Sequence, residues 1–126
     1  MPRFALLEHL RDGVHWDLML ERGDALRTWA LDALPAEGVE QPARALPDHR
    51  LMYLDYEGEI AGGRGSVRRI DGGEYLAREW GVDLIRVELR GAQLVGVLDL
   101  RRLAGIPGDT ETSLPWTLRM AWGKLC

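Results

Sequence analysis

The chain has 126 residues, of which 46% are hydrophobic and 29% charged, and its formal net charge is −4. This composition predicts one globular domain over residues 1–126, and it excludes a protein that coats nucleic acid through many Lys and Arg contacts to phosphate. No apolar run approaches the ~20 residues that span a bilayer, and the N-terminus lacks the unbroken apolar core of a signal peptide, so we expect a cytoplasmic protein without a membrane partner.

The first predicted element is a β-hairpin that contains His9 and His15, two of the three histidines of the chain. Residues 4–9 and 14–21 are rich in apolar side chains, and the sequence Arg-Asp-Gly at 11–13 is a turn signal between them. If this turn is symmetric, His9 lies directly opposite His15, where paired side chains have Cβ atoms about 4.5–5.5 Å apart.

A metal site is one interpretation of this hairpin. Asp17 follows His15 on the same face of the second strand, so together with His9 the segment offers two imidazoles and one carboxylate. Such a set suits Mn, Fe or Zn better than Mg or Ca, and three protein ligands leave positions for water or substrate. An isolated H-x-D on a strand is also typical of two solvent-facing polar residues, so the spacing alone leaves both interpretations open.

The middle of the chain is predicted to contain a strand, a long loop and another strand. Residues 25–31 continue the strand pattern, whereas residues 32–48 hold three prolines and little apolar periodicity, which predicts a loop. Apolar alternation resumes at 51–57 and predicts a strand that places Tyr53 on the same face as His49.

The second half of the chain contains further short strands joined by tight turns. We predict strands at 66–70, 74–79, 82–90, 94–101 and 116–122, turns at 61–65, 71–73 and 90–92, and an irregular stretch at 105–115. No segment has the pattern of a long helix, and this arrangement is typical of antiparallel barrels and sandwiches. The predicted fold class is therefore all-β, with short hairpins and two longer loops at 32–48 and 105–115.

Four motifs along the chain together resemble a known family. They are E-H-x5-H-W-D-L-x-L-E, R-T-W-A, D-H-x-L-x-Y-x-D-Y-E-G-x-I and D-L-I-R-V-E-L-R-G, and they extend the similarity over residues 4–122. This pattern resembles the 3′-phosphoesterase domain of bacterial DNA ligase D, in its stand-alone form. The resemblance implies a compact antiparallel β-barrel with a polar groove that holds Mn2+, or another divalent transition metal such as Zn2+ or Co2+.

The resemblance also implies an activity and partners. Members of this family trim the 3′ ends of DNA breaks or primer-templates, removing a 3′-phosphate or a 3′-ribonucleotide during non-homologous end joining. The expected enzyme is thus a Mn-dependent phosphoesterase of DNA repair, with a ligase or polymerase as a partner in trans.

Carried over by position, the family's metal ligands fall on His9, His15 and Asp17. The family's histidine and tyrosine at the scissile phosphate fall on His49 and Tyr53, which are the expected catalytic residues.

Two positions depart from the family's pattern. Met19 stands where the family has a phosphate-binding arginine, and Ala33 stands where it has a lysine. A charge-assisted phosphate contact is worth about 1.5–3 kcal/mol, so these changes put the activity in doubt. We expect Arg50 or Arg64 to substitute.

Two other interpretations stay open at this stage. One is a non-catalytic member of the family that binds DNA ends or a protein, with Met19 and Ala33 marking a lost phosphate site. The other is a non-haem iron enzyme whose two histidines and one carboxylate are His15, His49 and Asp17, an arrangement that leaves His9 unused.

Overall fold

The computed structural model describes residues 1–103 and 115–125 of the chain, which form nine strands and one short 3₁₀ helix. The strands are β1 (Arg3–Leu10), β2 (Val14–Arg22), β3 (Ala25–Leu31), β4 (Glu40–His49), β5 (Gly58–Glu59), β6 (Ser66–Trp80), β7 (Leu84–Gly91), β8 (Leu94–Arg102) and β9 (Trp116–Leu125), and the 3₁₀ helix is Leu51–Leu54.

Eight of these strands close into an antiparallel barrel. Their order is β1-β2-β3-β4-β9-β8-β7-β6, and β6 pairs back onto β1. The two-residue strand β5 adds to the free side of β6. The structure therefore confirms the predicted all-β class and the antiparallel barrel.

The barrel interior is filled by alternate side chains from all eight strands, as the period-two geometry of a strand requires. Trp29 and Trp116 meet there in an edge-to-face contact, with ring centroids 5.6 Å apart. The buried members of this core are Phe4, Leu6, Leu18, Leu20, Trp29, Leu31, Ala43, Tyr75, Ile85, Val87, Leu89, Leu94, Leu98, Leu100, Trp116, Leu118 and Met120. Each large apolar side chain buried here contributes about 1.5–3 kcal/mol to folding.

A second apolar cluster lies on the outer face of β1, β2, β3 and β6. It consists of Ala5, Leu7, Met19, Leu26, Leu54 and Val67. The 3₁₀ helix covers this face and is held there by ion pairs from Arg3 and Arg69 to Asp55. Residues 48–60 therefore form a cover over the outside of the β1–β2 hairpin, and the candidate site lies between the two.

The prediction of a continuous loop at 32–48 was wrong, because β4 occupies its second half. The prolines made this segment look like a loop in the sequence, because proline has no N–H to donate to a β-ladder. It occurs in strands only where no neighbouring strand needs that N–H. Pro42 pairs only with β9, and Pro47 lies at a register irregularity where it has no partner in β3. Residues 43–46 between them carry the ladder to β3.

Two further predictions were wrong. Residues 51–54 form a 3₁₀ turn instead of a strand, in which the Tyr53 N–H donates to the Arg50 carbonyl. Residues 71–73 form no turn, because β6 runs unbroken from Ser66 to Trp80 and pairs first with β1 and then with β7. The short apolar alternation at 51–57 and the Gly-Gly pair at 72–73 were ambiguous signals.

The remaining predicted strands are present, including the hairpin of β7 and β8 and the C-terminal strand β9. The predicted irregular stretch at 105–115 lies outside the described residues except for its last position. In the part of the chain that the structure describes, no helix is long and apolar enough to cross a lipid bilayer.

Candidate functional site

The β1–β2 hairpin has the register that a symmetric turn predicts. His9 pairs directly with His15. The turn between the strands places Asp12 at φ 53° and Gly13 at φ 120°, in the left-handed region that Gly and Asp tolerate best. The hairpin therefore brings His9, His15 and Asp17 onto one face, directed away from the barrel interior.

The donor atoms of these three side chains converge. The distances are 3.2 Å from His9 Nδ1 to His15 Nε2, 3.1 Å from His15 Nε2 to Asp17 Oδ1 and 3.4 Å from His9 Nδ1 to Asp17 Oδ2. Ligands about 2.1 Å from a tetrahedral metal are separated by roughly 3.4 Å. The three residues therefore fit one divalent cation without rearrangement.

Burial makes the carboxylate of this group sensitive to what lies beside it. The Asp17 side chain is only 3% exposed. Its Oδ1 lies 3.1 Å from His15 Nε2, but it makes no hydrogen bond of suitable geometry with any residue that the structure describes. A buried carboxylate oxygen without a hydrogen bond carries a desolvation cost. A cation bound between Asp17 and the two imidazoles would remove that cost.

A main-chain carbonyl sets the tautomer of His9. His9 Nε2 lies 2.8 Å from the Arg64 carbonyl oxygen, and because a carbonyl only accepts, this nitrogen carries the proton. In the neutral ring Nδ1 then has a free lone pair directed towards His15 and Asp17. Histidines that bind a metal in proteins usually donate their other ring N–H to an acceptor of this kind.

The alternative iron site requires His49, which does not belong to the cluster of possible metal ligands in the structure. Among residues 1–103 and 115–125, the group of His, Cys, Asp and Glu side chains whose ligand atoms lie within 4.8 Å of one another is His9, His15 and Asp17. His49 is not a member of this group.

His49 and Tyr53 nevertheless line the same cavity as the three candidate ligands, a space of about 650 Å³. His49 ends β4 and Tyr53 lies on the 3₁₀ helix, so they meet across a turn instead of on one strand face, and their rings contact edge to face with centroids 5.9 Å apart. His49 Nδ1 donates to the Pro47 carbonyl at 2.8 Å, which leaves its Nε2 for a ligand in the cavity.

Four arginines also line this cavity, including both predicted substitutes, Arg50 and Arg64. Arg64 Nε donates to the Ala61 carbonyl at 2.8 Å, whereas Arg50 has no side-chain partner among the described residues. Sequence reasoning missed the other two, Arg11 and Arg44. Arg11 lies two residues after His9, which was an available signal, but Arg44 belongs to the strand that was predicted as a loop.

The two positions that depart from the family's pattern have different surroundings. Met19 is 1% exposed and packs in the outer apolar cluster, so it contributes to the floor of the cavity. Ala33 is exposed and does not line the cavity, and its backbone N–H and carbonyl are both hydrogen-bonded to the Gln41 side chain. Neither position supplies a cation to the site.

The cover of the site is held by a network of two arginines and one carboxylate. Hydrogen bonds and charge attraction, first from Arg3 and then from Arg69, together lower the pKa of Asp55 from its usual 3.8 to about 2. Because Arg3 begins β1 and Arg69 lies on β6, Asp55 fastens the end of the 3₁₀ helix to the barrel.

Comparison with known proteins agrees with this architecture. A family model described as the DNA ligase D 3′-phosphoesterase domain matches residues 7–102. The multifunctional non-homologous end joining protein LigD of Pseudomonas aeruginosa is 29% identical over 119 residues, an alignment that covers 72% of this chain and 14% of that protein. The chain thus spans only a small part of the relative's length. These matches confirm the resemblance that the four motifs indicated.

Proposed function

We propose that this chain, which belongs to the DNA ligase D 3′-phosphoesterase domain family, is a metal-dependent phosphoesterase that removes a 3′-phosphate or a 3′-ribonucleotide from DNA ends during break repair. The observation that supports this proposal most strongly is the convergence of His9, His15 and Asp17 in the cavity that also contains His49 and Tyr53.

In this proposal His9, His15 and Asp17 hold one divalent cation, Mn2+ or a similar transition metal such as Zn2+ or Co2+. Such a cation polarises a phosphoryl oxygen and lowers the pKa of a bound water towards neutrality. The protein keeps the three ligands ready by burying Asp17 and by fixing the His9 tautomer through the Arg64 carbonyl.

His49 and Tyr53 act on the phosphate itself. The Pro47 carbonyl fixes the orientation of the His49 ring through Nδ1, so a protonated Nε2 can donate to the leaving oxygen as a general acid. The Tyr53 hydroxyl donates a hydrogen bond to a phosphoryl oxygen and stabilises the charge that develops there. The edge-to-face contact of the two rings limits the orientations of both.

Arg50 is the better candidate for the cationic contact that Met19 cannot make. Its guanidinium has no partner among the described residues, whereas that of Arg64 is already bonded to the Ala61 carbonyl. We expect Arg50→Ala and Arg64→Ala each to abolish most activity if both bind phosphate, and unchanged rates for both would remove arginine substitution from the proposal.

The proposed substrates are DNA 3′ ends or primer-templates, and the proposed partner is a ligase or polymerase that acts on the trimmed end in trans. These assignments rest on the family, and with them we propose a cytoplasmic location.

A 3′-end assay tests the proposal. Purified protein is incubated with Mn2+ and labelled primer-templates that end in a 3′-phosphate or a single ribonucleotide. We expect product from the wild type and from Arg119→Ala, an exposed change outside the cavity. We expect none from His9→Ala, and a rate lowered about 10²–10⁴-fold for His49→Ala, the usual contribution of a general acid.

A second candidate function is a non-catalytic module that binds DNA ends or a protein. It is favoured by the absence of any cationic side chain at Met19 and Ala33. Metal binding through His9 without product from either 3′ end would support this function and contradict the enzymatic one.

A further inference from the structure

The distribution of free arginines in the structure is uneven. All fifteen arginines lie within the described residues, and ten of them form ion pairs with Asp or Glu. Arg22 stacks on Trp80, and Arg64 donates to a carbonyl. Three have no side-chain partner in the part of the chain that the structure describes, namely Arg11, Arg50 and Arg119.

Two of these three guanidinium groups line the candidate site. Arg11 and Arg50 both border its cavity, while Arg119 lies on β9 away from it. The protein as a whole has a net charge of −4, so it gains no general attraction for a polyanion. An anion is therefore attracted locally, at the cavity, where cations remain unneutralised.

Arg11 is unassigned by the chemistry proposed above and is held in a defined place. It lies in the hairpin turn two residues beyond His9, and its backbone N–H donates to the Gly13 carbonyl at 3.0 Å. Gly65 lies so close that a Cβ added there would be 2.9 Å from the Arg11 Cβ. The base of this side chain is thus fixed at the rim of the cavity beside the three candidate metal ligands.

A second concavity of about 730 Å³ extends the site on the side of residues 59–66. Ile60 lines both spaces, and three of the seven residues around the second one are glycines, so few large side chains fill it. A terminal phosphate would occupy only part of the first cavity. Residues 60–65 border the two spaces, and Arg11 lies beside Gly65, so the two spaces together suit a chain of several phosphates.

We propose that Arg11 is a specificity-determining residue, which binds the phosphodiester on the 5′ side of the reacting 3′ end and so makes the site prefer a polynucleotide strand to a mononucleotide. This inference rests on the proposed function for the identity of the reacting end. Guanidinium is suited to the contact because it binds phosphate through two parallel hydrogen bonds.

Binding measurements with two ligands test the inference. The first ligand is a fluorescent DNA oligonucleotide ending in a 3′-phosphate, followed by anisotropy in the presence of Mn2+, and the second is thymidine 3′-monophosphate as a competitor. We expect Arg11→Ala to weaken oligonucleotide binding about tenfold or more, the loss of one charge-assisted contact, and to leave the competitor's affinity unchanged. The slope of log affinity against log salt should fall by about 0.7.

Two matched variants give the comparison. Arg119→Ala removes a free arginine outside the cavity and should change neither affinity, whereas Arg50→Ala should weaken both ligands because Arg50 contacts the terminal phosphate. The inference would be overturned if Arg11→Ala bound the oligonucleotide as tightly as the wild type. It would also be overturned if this variant lost affinity for both ligands equally. Arg11 is exposed, and equal thermal unfolding of the variants would confirm that folding is unaffected.

The outcome is separable from that of the proposed function. If the wild type releases phosphate but Arg11→Ala binds the oligonucleotide as tightly as the wild type, the inference is refuted and the proposed function is not. Binding that depends on Arg11, without release of phosphate or ribonucleotide from any end, supports the inference and refutes the enzymatic function.

Discussion

Replacing Gly65 with alanine is expected to weaken divalent-cation binding although residue 65 is not itself a candidate ligand. Gly65 has φ +84°, and a Cβ there would lie 1.9 Å from the Leu10 carbonyl oxygen. Because that oxygen belongs to the backbone of β1, the clash can be relieved only if residues 61–65 move away from the hairpin. The Arg64 carbonyl, which accepts the hydrogen bond from His9 Nε2 at 2.8 Å, would move with them.

The size of the effect follows from the loss of this acceptor. Without the Arg64 carbonyl the proton of neutral His9 can shift to Nδ1, the nitrogen that faces His15 and Asp17. Removing such an outer hydrogen bond typically costs 10–100-fold in metal affinity. The positive φ adds about 1 kcal/mol of backbone strain, which lowers the free energy of unfolding but does not by itself affect the ligands.

Gly63→Ala is the matched control. Gly63 has a similar φ of +70°, lies in the same segment and would place its Cβ in open space. Isothermal titration with Mn2+ should show an affinity about 10–100-fold lower for Gly65→Ala and unchanged for Gly63→Ala. Both variants should lose thermal stability through their positive φ, and Gly65→Ala should lose more because its Cβ also meets the Leu10 carbonyl oxygen. Equal Mn2+ affinities for Gly65→Ala and the wild type would refute the assigned role of the Arg64 carbonyl.

Two other predictions concern stability. The buried Asp71 carboxylate accepts hydrogen bonds from the three backbone N–H groups of residues 92–94. Asp71→Ala should therefore lower the free energy of unfolding by about 3 kcal/mol or more. A urea midpoint equal to that of the wild type would contradict this prediction. Arg3 and, to a smaller extent, Arg69 lower the pKa of Asp55 from 3.8 to about 2 in the folded protein. The ion pair therefore stabilises the fold fully above the unfolded pKa of Asp55, and this stabilisation is lost as the pH falls towards the folded pKa. The stability difference between wild type and Asp55→Asn, measured by denaturant unfolding across pH, should therefore be constant near neutrality and shrink as pH falls from 3.8 to about 2; a difference that persists at the lowest pH would exclude this ion pair as its source.

The site could be predicted from the sequence where its geometry is local. His9, His15 and Asp17 lie on one hairpin with a short, recognisable turn, so their convergence follows from strand pairing alone. The proximity of His49 and Tyr53 was predicted from a shared strand face, but the structure produces it through a 3₁₀ turn. The two residues are only four positions apart, so either local structure brings their side chains close. The Arg64 carbonyl, by contrast, meets His9 across 55 positions of sequence, and no local pattern indicates such a contact.

The fold was predictable in class but not in all its elements. The strand at residues 40–49 depends on long-range ladders to β3 and β9, and the prolines that interrupt its pattern are tolerated only because of where those ladders end. The glycines at 72 and 73 resemble a turn, but they allow close packing. A Cβ at Gly72 would meet the Arg69 guanidinium at 2.0 Å, and one at Gly73 would meet the Arg90 carbonyl at 2.3 Å.

The measurement that tests the account most directly is a Mn2+ titration in which metal occupancy and phosphate release are followed in the same samples. Occupancy is read from the electron paramagnetic resonance signal of free Mn2+, and release from a primer-template with a 3′-phosphate. For the wild type we expect release to rise in proportion to the filling of one site, and for Asp17→Asn, which keeps the shape of the side chain but loses its charge, neither binding nor release over the same range. Release at the full rate in the presence of a chelator, or Mn2+ binding by Asp17→Asn as tight as that of the wild type, would contradict the proposed metal site.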